Sequence, residues 1–162
     1  MLTLRYTQKL LKDMKIVPVE VEEVPPSFSW HANIMQLNRK YILFVNDATQ
    51  LCLMLGGIRS GQADKLVEKF RAELTAYLLL EGIKKQHIHQ YFLEAGEVTI
   101  SRTNSKSVIG TMNEMLQYNL VTIGEFDDLH ERCHWLNTAI YKPIDYKKPI
   151  DVFRESISTR YS

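Results

Sequence analysis

Apolar and polar residues alternate through Leu2-Thr3-Leu4-Arg5, which predicts a short opening strand. Thr7 then opens a helical segment that runs to Met14 with Leu10 and Leu11 facing inward. Val17 to Pro26 is acidic, and Pro25-Pro26 excludes helix, so this stretch reads as a connector. Trp30 to Leu37 reads as a strand leading into a turn at Asn38-Arg39-Lys40. Tyr41-Ile42-Leu43-Phe44-Val45 is a continuous apolar run suited to a central strand buried on both faces. Asn46-Asp47 makes the next turn, and Gln50 to Leu55 returns as a third strand. Three consecutive strands joined by short turns predict an antiparallel meander.

Helical spacing takes over after Gly56-Gly57. Leu66, Phe70, Leu74, Tyr77 and Leu78 form one core-facing stripe, and Gly82 stands where a left-handed residue ends such a helix. A shorter helix through Phe92, a strand over Glu97 to Ser101, and helices over Ser105 to Tyr118 and Phe126 to Asn137 follow. From Tyr141 onward Pro143 and Pro149 break the pattern, predicting a loosely packed tail that ends in a short helix. No repeat or low-complexity linker divides residues 1–162. The pattern predicts a single α+β domain, with an antiparallel meander sheet and helices packed largely on one face.

Composition narrows the class. In 162 residues, 45% are hydrophobic and 24% charged, enough for a buried core and too apolar for a disordered chain. A net charge of +1 argues against bulk nucleic-acid binding through a basic surface. Cys52 and Cys133 lack a CxxC spacing and read as two free thiols in a reducing compartment. The first residues lack the features of a signal peptide, and the longest apolar run, Tyr77 to Leu80, is too short to span a bilayer. The expectation is a soluble cytoplasmic protein.

The chemistry concentrates at one strand-to-helix junction, Ser101 to Glu114. Asn104 or Ser105 is a competent N-cap, and Val108, Met112, Met115 and Leu116 share the face that packs inward. Capping and packing account for about half of the segment. Arg102 and Lys106 are left over, beside the free amides at the positive end of a helix, where a phosphate or carboxylate is held well. Ser107 flanks the helix start, and Asn113, about two turns further on, can read a polar ligand group. The expected site is an anion- or nucleotide-binding pocket at residues 101–114, for a small anionic ligand, in a binding module with no cofactor; a protein partner is the other candidate occupant. The G-x-x-x-x-G-K-[ST] loop is absent.

Four segments carry a resemblance. Leu4 to Leu11 with its Thr7-Gln8-Lys9-Leu10, Trp30-His31-Ala32-Asn33, Tyr41 to Asp47, and the Thr103-Asn104…Ser107-Val108…Gly110…Met112-Asn113 pattern together resemble an uncharacterised bacterial "domain of unknown function" family of small soluble proteins. The resemblance spans most of the chain and implies no activity. Convergence of these segments would add Thr7, Lys9, Trp30, Asn33 and Asn46 to Arg102, Asn104 and Asn113 around one pocket, with Trp30 as a stacking surface.

Two further patterns compete. His130-Glu131-Arg132-Cys133-His134 matches H-E-x-x-H on a predicted helix. Two histidines at i and i+4 can share a zinc ion, with Glu131 as general base and Glu155 as third ligand, which would make the protein a zinc-dependent hydrolase. Arg132 is unusual inside such a motif, and a chance match on an exposed helix is the simpler reading. In the tail, Leu136-Asn137 and Tyr146-Lys147-Lys148-Pro149-Ile150-Asp151-Val152-Phe153 resemble the C-terminal end of some bacterial transposases. That resemblance implies a nucleic-acid or mobile-element accessory role, although a helix started by Pro149 explains the same residues.

Overall fold

The computed structural model describes residues 1–162 and contains five strands and six helices. In chain order these are β1 (Leu2–Tyr6), α1 (Gln8–Met14), β2 (Ser29–Gln36), β3 (Lys40–Asn46), β4 (Cys52–Gly56), α2 (Ala63–Leu80), α3 (Lys85–Ala95), β5 (Val98–Arg102), α4 (Lys106–Val121), α5 (Leu129–Asn137) and α6 (Pro149–Tyr161). The expected local signals operate at several boundaries. The Thr7 hydroxyl accepts from the Leu10 amide at 3.3 Å and caps α1, and Gly82, at φ 82°, ends α2 in the left-handed conformation. No helix is long and apolar enough to cross a membrane.

The strands form one sheet in the order β4-β3-β2-β1-β5. The meander holds for β2, β3 and β4, which pair antiparallel. It fails for β1, which lies parallel to both β2 and β5. The sheet is therefore mixed. Long crossovers precede both β2 and β5, and such connections return the chain parallel, where a hairpin would reverse it. The acidic connector is part of the first crossover, and its Val19 amide donates to the Ile100 carbonyl on the outer edge of β5 at 2.9 Å.

The expectation that helices sit largely on one face also gives way. Tyr6, Ala32 and Phe44 are aligned across β1, β2 and β3, and on their side Phe70 of α2 meets Trp30 at 5.2 Å and Phe44 at 4.6 Å between ring centroids. Asn33, Leu43 and Met54 share the opposite face, where Asn119 of α4 donates to the sulfurs of Met35 at 3.3 Å and Met54 at 3.7 Å. Every residue from Ile42 to Asn46 is buried because helices cover the sheet on both sides.

Helix α5 covers the free edge of β4. The Asn137 amide group accepts from the Cys52 N–H at 2.8 Å and donates to the Cys52 carbonyl at 3.0 Å, standing in for a neighbouring strand. The Met54 N–H donates to the Cys133 sulfur at 3.3 Å, and Lys69 caps the Gly56 carbonyl. An unpaired strand edge invites association, and these side chains close it.

The tail beyond Tyr141 is not loose. Tyr141 is fully buried and donates to the Leu136 carbonyl at 2.9 Å. Pro149 supplies the first turn of α6, after which Ile150, Phe153 and Ile157 fall on one buried stripe. Proline here starts an amphipathic helix and does not mark disorder.

Asp13, at the end of α1, accepts from Lys40 of β3 and from the Ser60 hydroxyl, tying three segments together. Partial burial pushes its carboxyl up, but the Lys40 and Ser60 hydrogen bonds, with the charges of Lys40 and Lys9, outweigh this and hold it below its usual 3.8. A depressed carboxyl stabilises the fold above its unfolded pKa and loses that contribution as pH falls through the folded value. Asp13→Asn is thus less stable than the parent at pH 7, and their melting temperatures converge in acid below 3.8. Melting curves across that range check the sign.

Candidate functional site

The junction between β5 and α4 is built from both local and distant residues. Ser105 takes extended backbone angles and its hydroxyl accepts from the Val108 amide at 3.2 Å, capping α4. Lys106 and Ser107, in the first turn, keep amides with no partner inside the helix. One residue before the cap, the Asn104 amide donates to Nε2 of His31, in β2, at 3.2 Å. Because Nε2 accepts, the imidazole hydrogen sits on Nδ1, which donates to Asp47 at 2.7 Å. His31 is fully buried, so this relay pins the junction to the turn after β3.

Arg5 of β1 lies beside the relay on the same sheet face. It is 7% exposed, and its guanidinium donates to the Ser29 hydroxyl and the Arg102 carbonyl, both at 3.2 Å. Neither partner is a carboxylate, and the guanidinium makes no ion pair. Gln50 stands across from it in the left-handed conformation at φ 61°, an uncommon state for a residue with a side chain. Its Nε2 donates to the Asp47 carbonyl at 2.9 Å, while its Oε1 is buried with no partner. Arg5, Gln50, Asn104, Ser105 and Ser107 line one cavity of about 390 Å³. Asp47 and Glu23 add carboxylates to its wall. Such a space is small-molecule sized, and it offers one buried cation, a free helix-start amide at Ser107 and acceptors for donor groups.

Of the residues expected at the junction, Asn104 and Ser107 line this cavity. Arg102 is exposed, 3.6 Å from Glu20, and only its carbonyl serves the site. Lys106 is exposed and outside the lining, and Asn113 borders a separate crevice of about 20 Å³ beside Asn33. Asn33 accepts from Thr7 at 2.6 Å. Trp30 is fully buried under α2 on the other sheet face, donating to the Tyr91 hydroxyl at 3.0 Å. Lys9 is exposed on α1, close enough in charge to act on Asp13. The Asn46 side chain is spent on its own turn, accepting from Ala48, Thr49 and the Thr49 hydroxyl and donating to Ser27. The segments therefore do not converge on one pocket.

Arg5, His31, Asp47 and Gln50 escape a search for polar clusters because each sits singly in an apolar or turn context. The signal available was a charged or polar residue at a strand position whose neighbours are all core. A buried polar group is informative where an exposed one is not.

The family model described as a domain of unknown function (DUF6933) matches residues 3–152 of the chain. The chain belongs to the DUF6933 family. No curated protein and no solved structure matches it. The matched span contains every residue that lines the Arg5 cavity, from Arg5 to Pro143, and ends within α6 before Glu155.

In this DUF6933 chain the two histidines of the H-E-x-x-H pattern turn to different partners. His130 meets Glu73 at 2.9 Å and His134 meets Glu81 at 2.9 Å, so both tie α5 to α2. Arg132 is buried, donating to Asn119 and Thr122 with its guanidinium over the Phe126 ring at 5.1 Å. Glu131 and Glu155 are exposed, and no three histidine, cysteine, aspartate or glutamate side chains are grouped to hold a metal ion. Glu81 also accepts from the Tyr77 hydroxyl at 2.6 Å, and burial together with this bond pushes that phenol far above its ordinary range. Cys52 and Cys133 are free and buried, and burial followed by the Cys133 contact raises the Cys52 thiol well above its usual value. The DUF6933 thiols lack the exposure that reactive cysteines need.

Proposed function

We propose that this DUF6933 chain is a cytoplasmic binding module for a small anionic ligand, seated between Arg5 and the start of α4. One observation carries the reading: a buried guanidinium whose hydrogen-bond partners are neutral lines a cavity together with Ser107, whose helix-start amide is free. A buried charge that no carboxylate pairs directly is costly, and a phosphate or carboxylate that reaches the guanidinium relieves that cost. The carboxylates of Asp47 and Glu23 call for hydrogen-bond donors on the same molecule. The ligand class is therefore an anion that also carries hydroxyl or amino groups, such as a phosphorylated metabolite or a nucleotide. Two buried free thiols suit a reducing compartment.

The test is a thermal-shift screen of phosphorylated metabolites and nucleotides, followed by calorimetry on any hit. A ligand at a hundredfold excess over its Kd stabilises the fold by about 2.7 kcal/mol. Arg5→Gln lowers affinity by about tenfold to a hundredfold, the worth of a hydrogen bond to a charged group. Because Arg5 also braces Ser29 and Arg102, Ser107→Glu is the companion variant. A carboxylate in the first turn suits the helix dipole and repels an anion, so stability holds or rises while binding is lost. A hit that binds both variants as well as the parent would rule out this site.

A further inference from the structure

We propose a second anion site, for a phosphate-bearing small molecule, at the opposite end of the sheet from Arg5. It lies in a cavity of about 660 Å³ where the loop between β4 and α2 meets the turn between β2 and β3. The two sites fall beyond opposite ends of β3, one bordered by Lys40 and the other by Asp47, so neither depends on the other.

The loop is Gly56-Gly57-Ile58-Arg59-Ser60-Gly61. Gly57 takes φ 73°, which strains any residue with a side chain, and a Cβ there would lie 3.4 Å from the Lys69 ammonium. Lys69 donates to the Gly56 carbonyl, so a cation is fixed directly against the loop backbone. The amides of Gly57 and Ile58 find no acceptor in the chain. Consecutive free amides in a glycine turn make a concavity that favours anions.

The charges around this backbone point the same way. Arg39 and Arg59 are exposed on the cavity wall, and neither has a carboxylate partner. Lys40 is tied to Asp13, outside the cavity. Two carboxylates also line it, Glu73 and Asp127, but Glu73 is engaged by His130 at 2.9 Å. That leaves two arginines and Lys69 against one uncommitted carboxylate. Arginine forks match phosphate oxygens in pairs, and more than one phosphate is needed to use all three cations. The Tyr41 ring, 3.5 Å from where a Gly56 Cβ would stand, forms a flat wall beside them.

Calorimetry at low salt with tripolyphosphate and with ATP, both free of metal, tests this on the full chain. Tripolyphosphate binds the parent, and Arg39→Gln combined with Arg59→Gln weakens it by about tenfold or more. Added salt weakens the parent complex steeply. Ser107→Glu leaves it unchanged, which separates this site from the Arg5 cavity. In the Ser107→Glu protein, which no longer takes anions at the Arg5 cavity, ATP binding more tightly than tripolyphosphate identifies a nucleotide as the source of the phosphate, and equal affinities identify the phosphate chain alone; both support the site. No binding to the parent at low salt, equal binding to the double variant, or binding only to a single-stranded oligonucleotide overturns it.

Discussion

Trp30→Ala lowers the unfolding free energy by about 3–5 kcal/mol, the cost of emptying a large aromatic site in a packed core. Trp30 is fully buried, meets Phe70 edge-on, and donates to Tyr91, whose hydroxyl passes the hydrogen bond on to the Ser27 carbonyl at 2.6 Å. Removing the indole opens a void between the sheet and α2 and breaks the bond that holds α3 to the start of β2. Trp30→Phe keeps most of the volume and loses the N–H, so it costs on the order of 1 kcal/mol. Neither change alters anion affinity, since the ring lies on the sheet face away from the cavity. Urea denaturation and calorimetry on the same samples separate the two roles. Loss of anion affinity in a folded Trp30→Phe protein would restore the indole as a ligand surface.

The second large effect concerns Asn137. Its amide serves three partners: the Cys52 N–H, the Cys52 carbonyl and the Tyr77 hydroxyl at 2.9 Å. Asn137→Ala strands the Cys52 N–H and carbonyl, while the Tyr77 hydroxyl keeps Glu81, and at roughly 1–3 kcal/mol for each unsatisfied group a loss of about 2–6 kcal/mol follows. Asn137→Asp has the same shape, yet it buries a charge and sets an oxygen against the Cys52 carbonyl. It destabilises at least as much as alanine at neutral pH. Both variants uncover part of the β4 edge, so size-exclusion chromatography shows more concentration-dependent association than the parent gives. An Asn137→Ala protein as stable and as monodisperse as the parent would show that α5 does not seal this edge.

The contrast between Trp30 and Asn137 explains why sequence reading located elements better than roles. Trp30 stands beside His31 and Asn33, where an aromatic among polar residues suggests a surface. Its side chain shares a face with Leu4, its register partner in β1, and that pairing depends on a crossover of more than twenty residues. In sequence Asn137 reads as the polar end of a helix. Its function comes from a strand 85 residues earlier in the chain. Long-range pairs of this kind leave no periodic trace in either segment.

The junction at Ser101 to Glu114 divides along the same line. Its local physics was legible: Ser105 caps the helix, and Val108, Met112 and Met115 are buried as their spacing requires. The charged groups on offer there, Arg102 and Lys106, are solvated. The cation that faces the cavity is Arg5, brought in from β1 by parallel pairing with β5. In sequence an exposed cation next to a helix start resembles one that lines a cavity, because burial is what distinguishes them.

Periodicity, caps and breakers act over a few residues, and they are enough to set where each strand and helix lies and which helix faces are apolar. The α+β class and the helix start at Ser105 follow from them. Strand order, the parallel placement of β1, the covering of both sheet faces and the meeting of Arg5, Gln50 and Asn104 arise only when distant segments bury one another. Those choices are made by the packing free energy of the whole core, to which every element contributes and which no single stretch encodes.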